Sequence, residues 1–323
     1  MERQTQRSSA RSMISLAGSG RSCSLSLLSR RGILGRTAIL AATLGFGGQL
    51  LPAAAQEATP AGGDPLAQWG PGQTATINGA ALYYEDHGDP AGQPVLLLHG
   101  GMSNAEWWVN LAPVLVAAGY RVIAMDSRGH GRSTWGDLPI TYEQMAADTI
   151  GLLDFLGIET TDVVGWSDGA IIALDLAIHH PERLDRVVAY GANYSPEGVH
   201  FVLSDQVPPF ERLIADYRRL APQPDRFEEL GVALEALYAV APNYSEAELG
   251  SITTPILILD GEADEAVKPE HTRQLAGLIP GATLVIMPGT GHFAPFARTA
   301  LFNQIVLDYL AGNEAIVSAT PTA

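Results

Sequence analysis

The chain is poor in cysteine, in positive charge and in long apolar runs. Its 323 residues include one cysteine, Cys23. There is thus no disulfide framework, no thiolate metal cluster and, beyond residue 23, no cysteine nucleophile. Lysine and arginine number 19 against 35 acidic residues, a formal net charge of −16. That deficit argues against the basic face of a nucleic-acid binder and against attachment to an anionic membrane surface. Seven arginines and one acid, Glu2, fall in the first 55 residues; setting aside their +6 leaves −22 on residues 56–323. The sequence has no phosphate loop, no H-E-x-x-H and no G-x-G-x-x-G after a strand, so neither a metal nor an organic cofactor is expected. Charged residues make up only 17% while hydrophobic residues make up 46%, which supplies a large core and excludes disorder.

The basic leader reads as an address. Residues 29–35 are Ser-Arg-Arg-Gly-Ile-Leu-Gly, followed by a mildly apolar stretch from Thr37 to Leu51 and by Pro52-Ala53-Ala54-Ala55-Gln56. A charged region, an apolar region and small residues in that order form an export signal, and the paired Arg30-Arg31 give it a twin-arginine character. The expectation is a cleavable signal over 1–55, cut near Ala55, with Met13 as an alternative start. The product would engage the export machinery and become periplasmic or extracellular. No stable membrane anchor is expected, because Gly45, Gly47, Gly48 and Pro52 interrupt the apolar stretch.

After a linker over 56–72, apolar runs alternate with amphipathic ones. Thr74–Ile77 and Ala80–Glu85 are short strands joined by Asn78-Gly79, a two-residue hairpin signal. Buried-type strands are expected at Val95–His99, Arg121–Met125, Thr161–Gly165, Arg186–Tyr190, Ile256–Asp260 and Thr283–Met287. Helices are expected at Glu106–Ala118, Tyr142–Leu156, Asp168–His180, His271–Leu278 and Ala294–Leu310. Apolar strands alternating with helices predict an α/β fold with a mostly parallel central sheet covered on both faces. The core is assigned to 73–194 and 252–312. Residues 195–251 show helical periodicity without a strand and read as an inserted helical cap. Residues 313–323 form a C-terminal tail.

The chemistry gathers at the ends of the strands. Gly165-Trp166-Ser167-Asp168-Gly169 follows one strand and opens a helix, the setting in which G-x-S-x-G presents a nucleophile. Ser167 is the candidate nucleophile. His292, in Gly289-Thr290-Gly291-His292-Phe293 after the last strand, is the candidate base. Asp264, in Asp260-Gly261-Glu262-Ala263-Asp264, is the candidate acid, with Asp260 and Glu262 as alternatives. The oxyanion calls for backbone N–H donors: Asp168 supplies one, and Gly101 or else Met102 supplies the other. Met102, Trp166 and Asp168 are candidate substrate contacts, with Trp107, Trp108, Phe210 and Tyr238 as further wall candidates. The Asp168 carboxylate either caps its helix or attracts a cationic substrate group such as an α-amine. Asp126 and Arg128, in Asp126–Ser133, read as pins of a tight loop beside the nucleophile turn.

Over residues 74–311 these motifs together resemble the α/β-hydrolase superfamily: His99-Gly100-Gly101, Asp126-x-Arg128-Gly129-x-Gly131-x-Ser133, Gly165–Gly169, Gly261-x-x-Asp264 and Gly291-His292. With Tyr190-Gly191-Ala192-Asn193 added, the chain is similar to the valacyclovir-hydrolase (biphenyl hydrolase-like) group, which hydrolyses esters. The resemblance implies serine esterase chemistry with Ser167, Asp264 and His292 as triad, Gly101 and Asp168 as oxyanion donors, and no cofactor. The expected activity is cleavage of small-molecule carboxylic esters. The same triad could serve a lactone, an amide or peptide, a C–C bond or a cofactor-free perhydrolase. A non-catalytic binding protein on this fold is the remaining reading.

Overall fold

The computed structural model describes residues 71–200 and 210–313. The expected export signal, nearly all of the linker and the C-terminal tail, and the Phe210 side chain lie outside the described residues.

The Asn78-Gly79 pair turns the chain through φ values of 46° and 76°, the left-handed geometry a tight hairpin needs. It joins β1 (Gln73–Ile77) to β2 (Ala80–His87). The core strands are β3 (Pro94–Leu98), β4 (Arg121–Met125), β5 (Thr161–Trp166), β6 (Leu184–Tyr190), β7 (Ile256–Gly261) and β8 (Thr283–Met287). They form one sheet in the order β1-β2-β4-β3-β5-β6-β7-β8. β2 runs antiparallel to β1 and β4; the remaining pairs are parallel.

Alternation along the strands sends side chains to two cores. Leu96, Leu98, Val163, Ile256 and Ile258 pack on one face; Val95, Leu97, Val164, Leu257 and Leu259 pack on the other. The first face is covered by α2 (Tyr142–Leu156), α3 (Asp168–His179) and α7 (Pro269–Leu278). The second is covered by α1 (Ala112–Ala117) and α9 (Thr299–Leu310). Burial on both faces is why these strands read as continuous apolar runs. Between β6 and β7 come α4 (Phe210–Leu220), α5 (Phe227–Tyr238) and α6 (Glu246–Gly250), with no strand among the described residues.

Two expected helices are divided. Glu106–Ala118 becomes a 3-10 turn at Ala105–Trp108 followed by α1, which has Pro113 in its first turn. Proline has no N–H and clashes with a preceding helical turn, so the helix must restart there. Ala294–Leu310 becomes α8 (Ala294–Ala297) and α9, parted at Arg298. The two parts pack on different partners: Phe296 meets Trp107 and Trp166, while Phe302 meets Tyr190. Among the described residues, no helix is long and apolar enough to cross a membrane.

Candidate active site

Parallel strands end on the same edge of a sheet, so β3, β5, β6, β7 and β8 deliver their following loops to one place. These loops carry His99–Met102, Ser167, Gly191, Asp264 and His292.

Ser167 sits between β5 and α3 with φ 55° and ψ −119°. A side chain is strained in that region. The turn is held by the Ser167 N–H donating to the Tyr190 carbonyl (2.9 Å), and by the Ser167 carbonyl accepting from Ala170 and Ile171 N–H (2.8 and 3.0 Å). A serine at a helix start ordinarily caps the helix with its hydroxyl, but this one makes no capping bond. The residue is half-buried, and its hydroxyl is not spent on the helix it begins. The flanking glycines are obligatory. A Cβ on Gly169 would lie inside the Leu98 carbonyl, and one on Gly165 would meet the Gly169 carbonyl.

The His292 Nδ1–H donates to Asp264 Oδ2 at 2.8 Å. That bond fixes the tautomer and leaves Nε2 as the acceptor. The other Asp264 oxygen accepts from the Ala266 and Val267 N–H groups (2.7 and 2.6 Å). Burial alone would raise the Asp264 pKa; His292 and these bonds reverse that and bring it to about 2. The His292 loop is gripped from both sides: its N–H donates to Glu265 (2.8 Å) and its carbonyl accepts from the Trp166 indole (2.9 Å). Gly191, at φ 64°, lies against the imidazole, where a Cβ would come within 2.8 Å of the ring.

The candidate oxyanion loop, His99–Met102, is oriented by its own carbonyl. Gly100 C=O accepts from His99 Nδ1–H (2.7 Å), the Ser103 hydroxyl (2.6 Å) and Ser103 N–H (3.2 Å). In a trans peptide the next N–H points the opposite way, so the Gly101 N–H is turned away from these donors. Gly100 packs directly on Ser167, where an added Cβ would be 3.1 Å from the serine's. His99 is kept neutral, with burial and His130 lowering its pKa to about 3, so Nε2 accepts the Ser127 N–H (3.0 Å). Asp168 opens α3, and its N–H therefore has no intrahelical acceptor.

Three expectations about side chains need correction. Asp168 does not cap its helix: its carboxylate accepts from the Tyr142 hydroxyl (3.1 Å) and the Tyr238 hydroxyl (2.8 Å). Burial pushes this carboxyl up to about 6 against those two bonds, and an amine there would share oxygens already engaged by phenols. Trp166 is no pocket wall. It is 2% exposed and stacks on Trp107 with Phe293 and Phe296 around it, because β5 is central and its last side chain turns to the second core. Trp107 and Trp108, carried by the 3-10 turn after β3, are also core residues, 1% and 2% exposed. Tyr238 instead reaches the site from α5 and touches Gly101 as well as Asp168. The half-buried Met102 has φ 59°, and its methyl packs near Gly231 of α5. Sequence reasoning missed Glu265 and Tyr142, whose roles arise only from long-range contacts.

The chain matches the model of the alpha/beta hydrolase family over residues 95–305. It is 31% identical to a protein of Caulobacter sp. (strain K31) named as a carbamate hydrolase, over 75% of this chain and 100% of that one. It is 30% identical to the rhodomycin D methylesterase of Streptomyces peucetius, over 70% of this chain and 94% of that one. Among solved structures, the enol-lactonase of Burkholderia xenovorans LB400 superposes with a TM-score of 0.60 at 24% identity, over 74% of this chain and 99% of that one, a likeness that shows the fold.

Proposed function

Because the chain belongs to the alpha/beta hydrolase family, we propose that it is a serine hydrolase that cleaves carboxylic esters of small molecules through an acyl-enzyme. The observation that carries this reading is the His292–Asp264 hydrogen bond on loops at the edge where the strained Ser167 turn emerges. In the proposed reaction His292 Nε2 takes the Ser167 proton and Ser167 Oγ attacks the ester carbonyl. The N–H groups of Gly101 and Asp168 hold the oxyanion. Collapse expels the alcohol, which receives the proton from His292. Water, activated by the same ring, then releases the acid. The α4–α6 insert acts as the cap over the acyl or alcohol group.

The test is hydrolysis of p-nitrophenyl esters of increasing acyl length, with fluorophosphonate labelling of Ser167. Activity together with labelling supports the reading. A labelled protein that ignores esters but cleaves a carbamate, lactone, amide or C–C substrate moves the assignment to that bond, and the Caulobacter relative makes carbamates the first alternative to assay. No label on the folded protein would favour a binding role.

The base also sets a pH dependence. Burial by itself lowers the His292 pKa, but the Asp264 carboxylate and its hydrogen bond, with Glu265 and Asp168 behind them, outweigh burial and raise it above the ordinary 6.5. The ring must be neutral to accept a proton, so kcat/KM should fall as pH drops through that raised value. An acid limb centred below 6.5 would contradict the assignment.

Export rests on the Arg30-Arg31 leader alone. Cell fractionation of the full chain should recover the enzyme outside the cytoplasm, and Arg30→Lys/Arg31→Lys should retain it inside.

A further inference from the structure

Asp260 is not used by this mechanism, yet it lies directly behind it. It stands on β7, four residues before Asp264, and is fully buried. Its oxygens accept from the Thr272 hydroxyl of α7 and from the Gly261 N–H (2.7 Å). Its carboxyl is also in hydrogen-bond contact with that of Asp264. None of these partners is a cation.

Two carboxyl groups hydrogen-bond to each other only when one carries a proton. Asp264 accepts three N–H groups, one of them from the ring that becomes cationic during the reaction. Asp260 accepts one N–H and one hydroxyl. The anion therefore belongs on Asp264 and the proton on Asp260. We propose that Asp260 is a positioning residue: a buried, un-ionised carboxylic acid that donates its proton to the Asp264 carboxylate and holds it against His292. This rests on the triad reading above.

The surroundings agree. Burial first, and then Asp264, push Asp260 well above the ordinary carboxyl range. The other titratable groups around the pair are Tyr190 of β6, Glu265, His292 and His200, whose Nε2 lies 3.2 Å from the Asp264 carbonyl. Donation from Asp260 weakens the basicity of Asp264, so the Nδ1 proton stays on the ring and Nε2 stays free for Ser167. It also leaves Asp264 no freedom to turn away.

Infrared spectroscopy of the full chain reads the proton directly. Above about pH 8 an ordinary carboxyl is ionised, and so are Asp126 and Asp162, both raised only to about 7, and Asp168. A protonated-acid C=O band should persist there and vanish in Asp260→Asn. If no such band is lost, the proposal is overturned. Should Asp260→Asn not fold, Thr272→Val reads the same group: the band should move to higher frequency as the carboxyl loses its hydroxyl partner, and an unmoved band overturns the proposal. This readout needs no substrate, so an inactive wild type would refute the hydrolase reading alone.

Kinetics supply a second arm. Asp260→Ala should lower kcat roughly 10- to 100-fold with little change in KM, and Asp260→Asn, which keeps a neutral donor, should restore most of the loss. The acid limb of kcat/KM should stay in place in Asp260→Asn. If Asp260 were ionised in the wild type, that substitution would remove a negative charge near the ring and the limb would fall by about one pH unit, which would overturn the proposal.

Discussion

Ser167→Ala is expected to lower kcat for ester hydrolysis by about 10⁴- to 10⁶-fold and abolish fluorophosphonate labelling, with KM and fold retained. In the proposed reaction the hydroxyl is the attacking atom, and without it the oxyanion donors and the base have nothing to act on. A companion substitution separates catalysis from structure. At φ 55° alanine is strained as serine is, so Ser167→Ala should leave stability within about 0.5 kcal/mol. Glycine adopts positive φ freely, so Ser167→Gly should be equally inactive yet more stable, by up to about 1 kcal/mol. Activity and stability then move in opposite directions at one residue, which is what strain stored for function requires. The check is the urea midpoint of both variants beside their kcat. A less stable Ser167→Gly would mean that the turn is not strained, and residual hydrolysis within about 100-fold of wild type would mean that another group attacks.

Much of the scaffold was legible where local chemistry punctuates it. Tyr142–Leu156 is bounded by Thr141, whose hydroxyl accepts the Gln144 N–H, and by Gly157 at φ 66°; both signals lie in the local sequence. Strands β4 and β8 begin and end as expected because their apolar runs stop abruptly. Ser167, Asp264 and His292 could be placed at one sheet edge from sequence because each follows a strand of a parallel sheet. What stayed hidden depends on residues far apart in sequence. Tyr142 and Tyr238 meet Asp168 across 26 and 70 residues, and no local pattern reports that encounter. Trp166 illustrates the other limit. An aromatic beside a nucleophile reads equally as pocket wall or core, and only the position of β5 within the sheet decides between them.

The largest loss of stability is expected at Arg128. Its guanidinium is fully buried and bidentate to Asp148 at 2.6 and 2.7 Å, and it also donates to the carbonyls of Trp135, Leu138 and Asn78. Arg128→Met keeps the volume and removes the charge. Asp148 is then a buried carboxylate with only the Asn78 and Gln144 amides as side-chain donors, which should cost about 3–5 kcal/mol. In a domain of this size that lowers Tm by roughly 10 °C. Adding Asp148→Leu removes the orphaned charge but not the need of three carbonyls for a donor, so recovery should be partial. Activity should fall too, although Arg128 touches no catalytic group. Its loop carries the Ser127 N–H that His99 accepts, and Asp126, which bonds the Ala105 and Arg132 N–H groups. Loosening it releases the segment that turns the Gly101 N–H. The expected pattern is a lower kcat with KM nearly unchanged. A raised KM at unaltered Tm would instead place Arg128 in substrate binding, a role its burial behind the sheet edge gives no means to perform.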